Sequence, residues 1–169
     1  MYYPLLQNQK ASIEKFTAQI TEFIGNKENG IELEDIMPLV QKNFGLKLLG
    51  HSEYKKLKDD AKTSLALQAE YRLALTKYEI EQLRDALEKA QNPSKSKSQE
   101  HKILYGSNNP FATTVVRIFD NKAGIGWTTY SHTGMPVGTF AIGAGAQVFN
   151  GFYENSDIPL KIKKISGLK

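Results

Sequence analysis

The stretch Gly126-Trp127-Thr128-Thr129-Tyr130-Ser131-His132-Thr133-Gly134, followed by Val137-Gly138-Thr139-Phe140-Ala141-Ile142-Gly143-Ala144-Gly145-Ala146, constrains this chain more than any other. It sets one histidine, His132, in a tight glycine-flanked loop between two short segments that read as strands, Trp127–Thr129 and Val137–Ile142. The second has apolar or small residues on both faces, the pattern of a strand buried inside a layered α/β fold. A side chain held on a loop at the end of a strand is where metal ligands and catalytic groups tend to sit.

Upstream, residues 11–91 follow a helical period. Ile13, Phe16, Ile20, Phe23 and Ile24 share a face, and Gly25-Asn26 is a stop signal. A second helix is expected near Glu34 to Asn43, with Glu32, Glu34 and Asp35 where the helix dipole favours acids, and Pro38 in or near its first turn. Gly45 supplies its C-cap. Ser52 is expected to cap a longer helical stretch running through Leu57, Ala61, Leu65, Tyr71, Leu75, Tyr78, Leu83 and Leu87, with a bend between Thr63 and Glu70. Asn92-Pro93 ends it. Asn109-Pro110 opens a further helix, although Val115, Val116 and Ile118 leave a strand as the alternative. Asn155-Ser156-Asp157 caps a last helix expected to bury Ile158, Ile162 and Ile165. The expected organisation is a helical segment over 1–92, a polar linker over 93–107 and a small α/β piece over 108–169. The fold class is α+β, mostly helical, with a small strand pair carrying His132 at the turn.

Charge is unevenly placed. Residues 1–91 hold 13 basic and 14 acidic side chains, and residues 92–169 hold 9 and 4, so the first part carries −1 and the second +5 of the net +4. Those lysines are too few and too separated for a nucleic-acid footprint, which needs cations and stacking aromatics on one face. No apolar run is long enough to span a membrane, and Met1-Tyr2-Tyr3-Pro4 gives no expectation of a signal peptide. With no cysteine, disulfides and thiolate zinc sites are excluded.

Several residues in fixed order carry a resemblance. Asn121-Lys122-Ala123-Gly124-Ile125-Gly126-Trp127-Thr128, His132-Thr133-Gly134, Val137 through Gly145, Phe149-Asn150-Gly151 and Asp157-Ile158 resemble the C-terminal end of bacterial alkaline phosphatases. Glu34-Asp35-Ile36 through Phe44-Gly45-Leu46 is similar to a helical segment upstream in that family. The resemblance implies a parent with a three-layer α/β fold, exported to the periplasm or cell envelope, that hydrolyses phosphate monoesters with zinc and magnesium through a phosphoseryl intermediate. The localisation of this chain itself stays open. His132 then corresponds to a zinc ligand. The family's serine nucleophile, its other metal ligands and its phosphate-clamping arginine find no counterpart here, and Arg117 has no feature that makes it the clamp.

A catalytic zinc needs at least three protein ligands. The chain has three histidines, His51, His101 and His132. His51-Ser52-Glu53 reads better as a helix start, and His101 lies beside a polar loop. The isolated chain is therefore expected to bind no metal tightly and to have no catalytic residue of its own. Its expected partners are phosphate monoesters in the full enzyme, and further copies of itself by self-association, with neither nucleic acid nor membrane. The alternative is a helical interaction module without catalysis. Trp127 is expected to be a core anchor, Thr128, Thr129 and Ser131 to satisfy loop hydrogen bonds, and Gly143-Ala144-Gly145 to be a turn.

Overall fold

A computed structural model describes residues 2–26, 30–92, 98–127 and 134–167. The chain divides into two compact units, Met1–Tyr130 and Ser131–Lys169. In the first lie α1 (Tyr3–Leu6), α2 (Ile13–Gly25), α3 (Leu33–Phe44), α4 (His51–Asp60), α5 (Leu65–Leu73), α6 (Lys77–Gln91), α7 (Gln99–Tyr105) and α8 (Pro110–Lys122). The second holds a 3-10 turn, Ala146–Phe149, and α9 (Asp157–Ser166).

Local chemistry sets most of these boundaries. The Ser12 hydroxyl accepts from Lys15 N at the start of α2, and the Asp35 carboxylate accepts from Glu32 N at 3.1 Å at the start of α3. Pro38 lies inside α3 and not in its first turn. Its missing N–H leaves the Glu34 carbonyl without its helical bond. Gly45 ends α3 in the left-handed conformation, φ 73°. The start expected at Ser52 sits two residues earlier. Gly50 is the cap, because the Glu53 carboxylate reaches back to Gly50 N at 3.0 Å.

The long stretch expected from 52 to 91 is three helices. A turn over 61–63 separates α4 from α5. A second break at Ala74 to Thr76 arises because the backbone there pairs with Lys47 instead. Lys47 N donates to Leu73 O and Leu75 N to Lys47 O, each at 2.9 Å, forming an isolated parallel bridge between Lys47 and Ala74. Thr76 and Glu79 then restart the helix reciprocally, with Thr76 N donating to Glu79 Oε2 at 2.7 Å and Glu79 N to Thr76 Oγ1 at 3.3 Å.

The core belongs to the first unit. α8 packs most extensively on α6, and also meets α2 and α5. Its buried residues run from Pro110 to Val115 and add Ile118 and Phe119, so its β-branched residues are held by packing against their weak helix preference. Phe44 joins Phe16 and Phe119 through edge-on ring contacts with centroids 4.9 and 5.5 Å apart. Buried Asn43 is satisfied by donating to Gln19 Oε1 and Leu39 O, each at 2.9 Å.

Three expectations need correction. First, no strand forms among the described residues, so the small strand pair is not supported. A strand exists through hydrogen bonds to a neighbour, and residues 134–142 make no backbone bond within the described chain. Val137, Phe140 and Ile142 stand 86%, 97% and 102% exposed. Thr128 and Thr129 lie outside the described residues. Second, within the stretch expected to be a linker, α7 occupies Gln99–Tyr105, capped by Ser98 and burying His101 and Tyr105. Third, α9 forms where expected but buries nothing, and Ile162 and Ile165 are 52% and 40% exposed. Among the described residues of the second unit, α9 packs on the 3-10 turn. Ile165 rests over Gly145, where a Cβ would lie 2.8 Å from its Cγ2.

Candidate functional site

α8 leads toward the expected ligand loop. Ala123 closes that helix, Gly124 takes φ 76°, and the chain turns back so that Trp127 meets Asp120. The indole Nε1 donates to Asp120 Oδ2 at 2.7 Å. Trp127 is 63% exposed, so it is not the core anchor its size suggested. It covers one side of a 220 Å³ cleft shared with Tyr105, Thr113, Arg117 and Asp120. Burial raises the Asp120 carboxyl above its ordinary value, and the indole N–H, bonding the charged form, acts in the opposite sense. The Arg117 guanidinium is turned away from a clamping role. It donates through Nη2 to the Leu104 carbonyl and lies 5.9 Å from the Tyr105 ring centroid.

His132, Thr128, Thr129 and Ser131 lie outside the described residues. His51 is exposed at the first position of α4, in keeping with its reading as part of a helix start. His101 is buried on α7 with its ring 5.1 Å from that of Tyr105. Among the described residues no three histidine, aspartate or glutamate side chains converge on a point that could hold a metal ion. Those residues do not fit a zinc or magnesium centre, so no chemical step can be built on them. Gly143-Ala144-Gly145 is a turn, as read, with φ 110° at Gly143 and 85° at Gly145.

Two groupings escaped sequence reasoning. Tyr54 and Tyr71 bring their hydroxyls to 3.2 Å across the α4–α5 pair. Lys122 forms an ion pair with Glu79 at 2.8 Å, with side chains only 10% and 17% exposed. Its Nζ also donates to Ala74 O at 2.9 Å. Neither has a local sequence signal, since the partners are brought together by the breaks at 61–63 and 74–76. Arg84 and Glu34 are likewise joined across α6 and α3, at 2.5 Å. Asp85 and Lys89, four residues apart on α6, form an ion pair at 2.7 Å.

A sequence model of the alkaline phosphatase family matches residues 18–168. None of the curated proteins and none of the solved structures matches the chain.

Proposed function

The chain belongs to the alkaline phosphatase family, and from that membership we propose that it is the C-terminal piece of a metal-dependent phosphomonoesterase. Its contribution to the full site is one imidazole, His132, as a zinc ligand. The order of His132-Thr133-Gly134 between Gly126 and Gly138, inside a family match that takes in residues 18–168, carries the reading. A neutral imidazole nitrogen suits zinc, and a hydrogen bond on the other nitrogen would fix its tautomer. In the full enzyme zinc and magnesium would supply Lewis-acid chemistry at the phosphoryl group. This chain lacks a counterpart of the serine nucleophile, so on its own it is inactive.

The test is an assay of the purified chain with para-nitrophenyl phosphate, zinc and magnesium. No metal-dependent turnover is expected, and saturable turnover would overturn the proposal. An in-frame upstream coding segment with an Asp-Ser-Ala-like nucleophile motif would support the parent enzyme directly.

A second reading, a self-associating module without catalysis, is favoured by the exposed apolar side chains of residues 135–142 and α9. Light scattering tests this second reading: a monomer at high concentration removes it.

A further inference from the structure

Beside the α5–α6 break, where Tyr2 and the end of α8 meet α5, lies a second cleft of 220 Å³. Tyr2, Tyr54, Tyr71, Arg72, Asn121 and Lys122 line it. Neither His51 nor His101 lines it.

Arg72 dominates it. The guanidinium carbon lies 3.7 Å from the centroid of the Tyr2 ring, and Nη2 donates to the Tyr2 hydroxyl at 2.8 Å. Stacking and hydrogen bond together fix the plane of the fork and leave most of its five N–H donors uncommitted. Among the described residues no carboxylate forms an ion pair with it. Glu70, two residues earlier on α5, is held by Lys47 at 2.9 Å. The charge of Lys122 is matched by Glu79, and two of its three N–H groups go to Glu79 and to the Ala74 carbonyl, which leaves one donor. Tyr54 and Tyr71 share one hydrogen bond, so whichever hydroxyl donates, the proton of the other stays available. That shared bond, aided by burial, pushes the Tyr54 hydroxyl up to about 12, which keeps it a neutral donor well into the alkaline range. On the other side of Tyr71 and Arg72, Lys58 and Lys62 line a neighbouring cleft, where the charge of Lys62 is matched by Asp59, so Arg72 carries the cleft's uncompensated charge.

We propose that this cleft binds a phosphate group, free or as the phosphoryl end of a small ester. Its donors, a fixed guanidinium on α5, a phenol of the α4–α5 pair, and an ammonium N–H and the Asn121 amide on α8, approach from different elements. A tetrahedral oxyanion accepts from several directions at once, and a guanidinium fork matches two of its oxygens. The Glu79 carboxylate beside Lys122 is engaged by Lys122 and Thr76.

The experiment is a 1H–15N NMR titration of the full chain with inorganic phosphate, and separately with glycerol 3-phosphate, at ionic strength held constant by sodium chloride. Saturable shifts are expected at the Arg72 side chain and at the amides of residues 71–76 and 121–123. Arg72→Gln weakens binding by about tenfold or more, the loss expected for a charge-assisted bidentate contact. Asn121→Asp, an exposed change that leaves the core untouched, sets a carboxylate at the rim and weakens it similarly. Arg84→Gln, on another face, leaves binding unchanged. Saturation by inorganic phosphate assigns the free ion, and saturation by the ester assigns the phosphoryl end. Linear shifts with both, shifts centred elsewhere, or binding indifferent to both Arg72→Gln and Asn121→Asp would overturn the proposal.

Discussion

At the scale of single residues, Asp120 and Trp127 form a built-in reporter. Trp127 is the sole tryptophan, and its indole N–H rests on the Asp120 carboxylate at 2.7 Å. Protonating that carboxyl weakens the bond and alters the fluorescence. Burial raises the folded-state value above 3.8, so the folded protein holds this proton more tightly than the unfolded chain does. The stabilisation tied to it is fully present below 3.8 and is lost as pH rises through the folded value. Two outcomes are expected. The Trp127 fluorescence titrates with a midpoint above 3.8, and Asp120→Asn, which keeps an acceptor oxygen but cannot ionise, abolishes that step. A midpoint at or below 3.8, or one that survives in Asp120→Asn, would refute the assignment. Sequence could not have paired these residues. Asp120 reads as a solvated acid near a helix end, and it is the turn through Gly124 that folds Trp127 back onto it.

Elements are joined by a small number of polar ties, and these differ sharply in weight. Lys122 connects the end of α8 to the N-terminal turn of α6 and to the bridged strand-like segment at Ala74. Removing the cation leaves the nearly buried Glu79 carboxylate with only Thr76 as a partner. Lys122→Met is expected to cost about 2–3 kcal/mol, a little below the cost of breaking a fully buried pair. Lys62→Met, at an exposed pair with Asp59, should leave the urea midpoint where it was. Equal shifts in the two variants would sink the distinction. Gly45 makes a second tie. Its φ of 73° and the Asn8 side chain, 3.1 Å from where a Cβ would stand, both resist a side chain. Gly45→Ala should lower stability by about 1–2 kcal/mol. Gly30→Ala, in open space without a positive φ, should be neutral or raise stability by about 0.4–1 kcal/mol. The same contrast explains what was legible. The cap at Asn109, the acids opening α3 and the glycine at 45 announce themselves within a few residues, because each acts on its own turn. The bend expected between Thr63 and Glu70 lies close to the turn over 61–63, but the break at 74–76 does not announce itself, because Leu73 O and Leu75 N bond Lys47, a partner far away in sequence. The strand reading of Val137–Ile142 failed for a related reason: apolar residues on both faces state what a segment requires, not whether a neighbour is there to meet it.

For the whole molecule, the distribution of the core decides what can stand alone. Every residue of the buried apolar cluster, from Leu5 to Ala123, lies in the first unit. α9 has no buried residue, and the 3-10 turn has none. A chain ending at residue 130 should therefore keep the cooperative unfolding and, within about 2 °C, the midpoint of the full protein, since it retains every member of that buried cluster and a shift of ~1 kcal/mol would move a domain of this size by several degrees. The apolar side chains of residues 135–142 have a different consequence. With free backbone groups on an extended segment, they are a template for pairing between copies. Full-length protein should thus scatter more light as concentration rises, and the shortened chain should not. Calorimetry and light scattering on the two proteins test both halves together. A large fall in midpoint on truncation would mean that the second unit supports the core. Equal scattering would move the sticky surface onto the helices. Only loss of association with an unchanged midpoint fits a stable helical body followed by a segment whose burial depends on another surface.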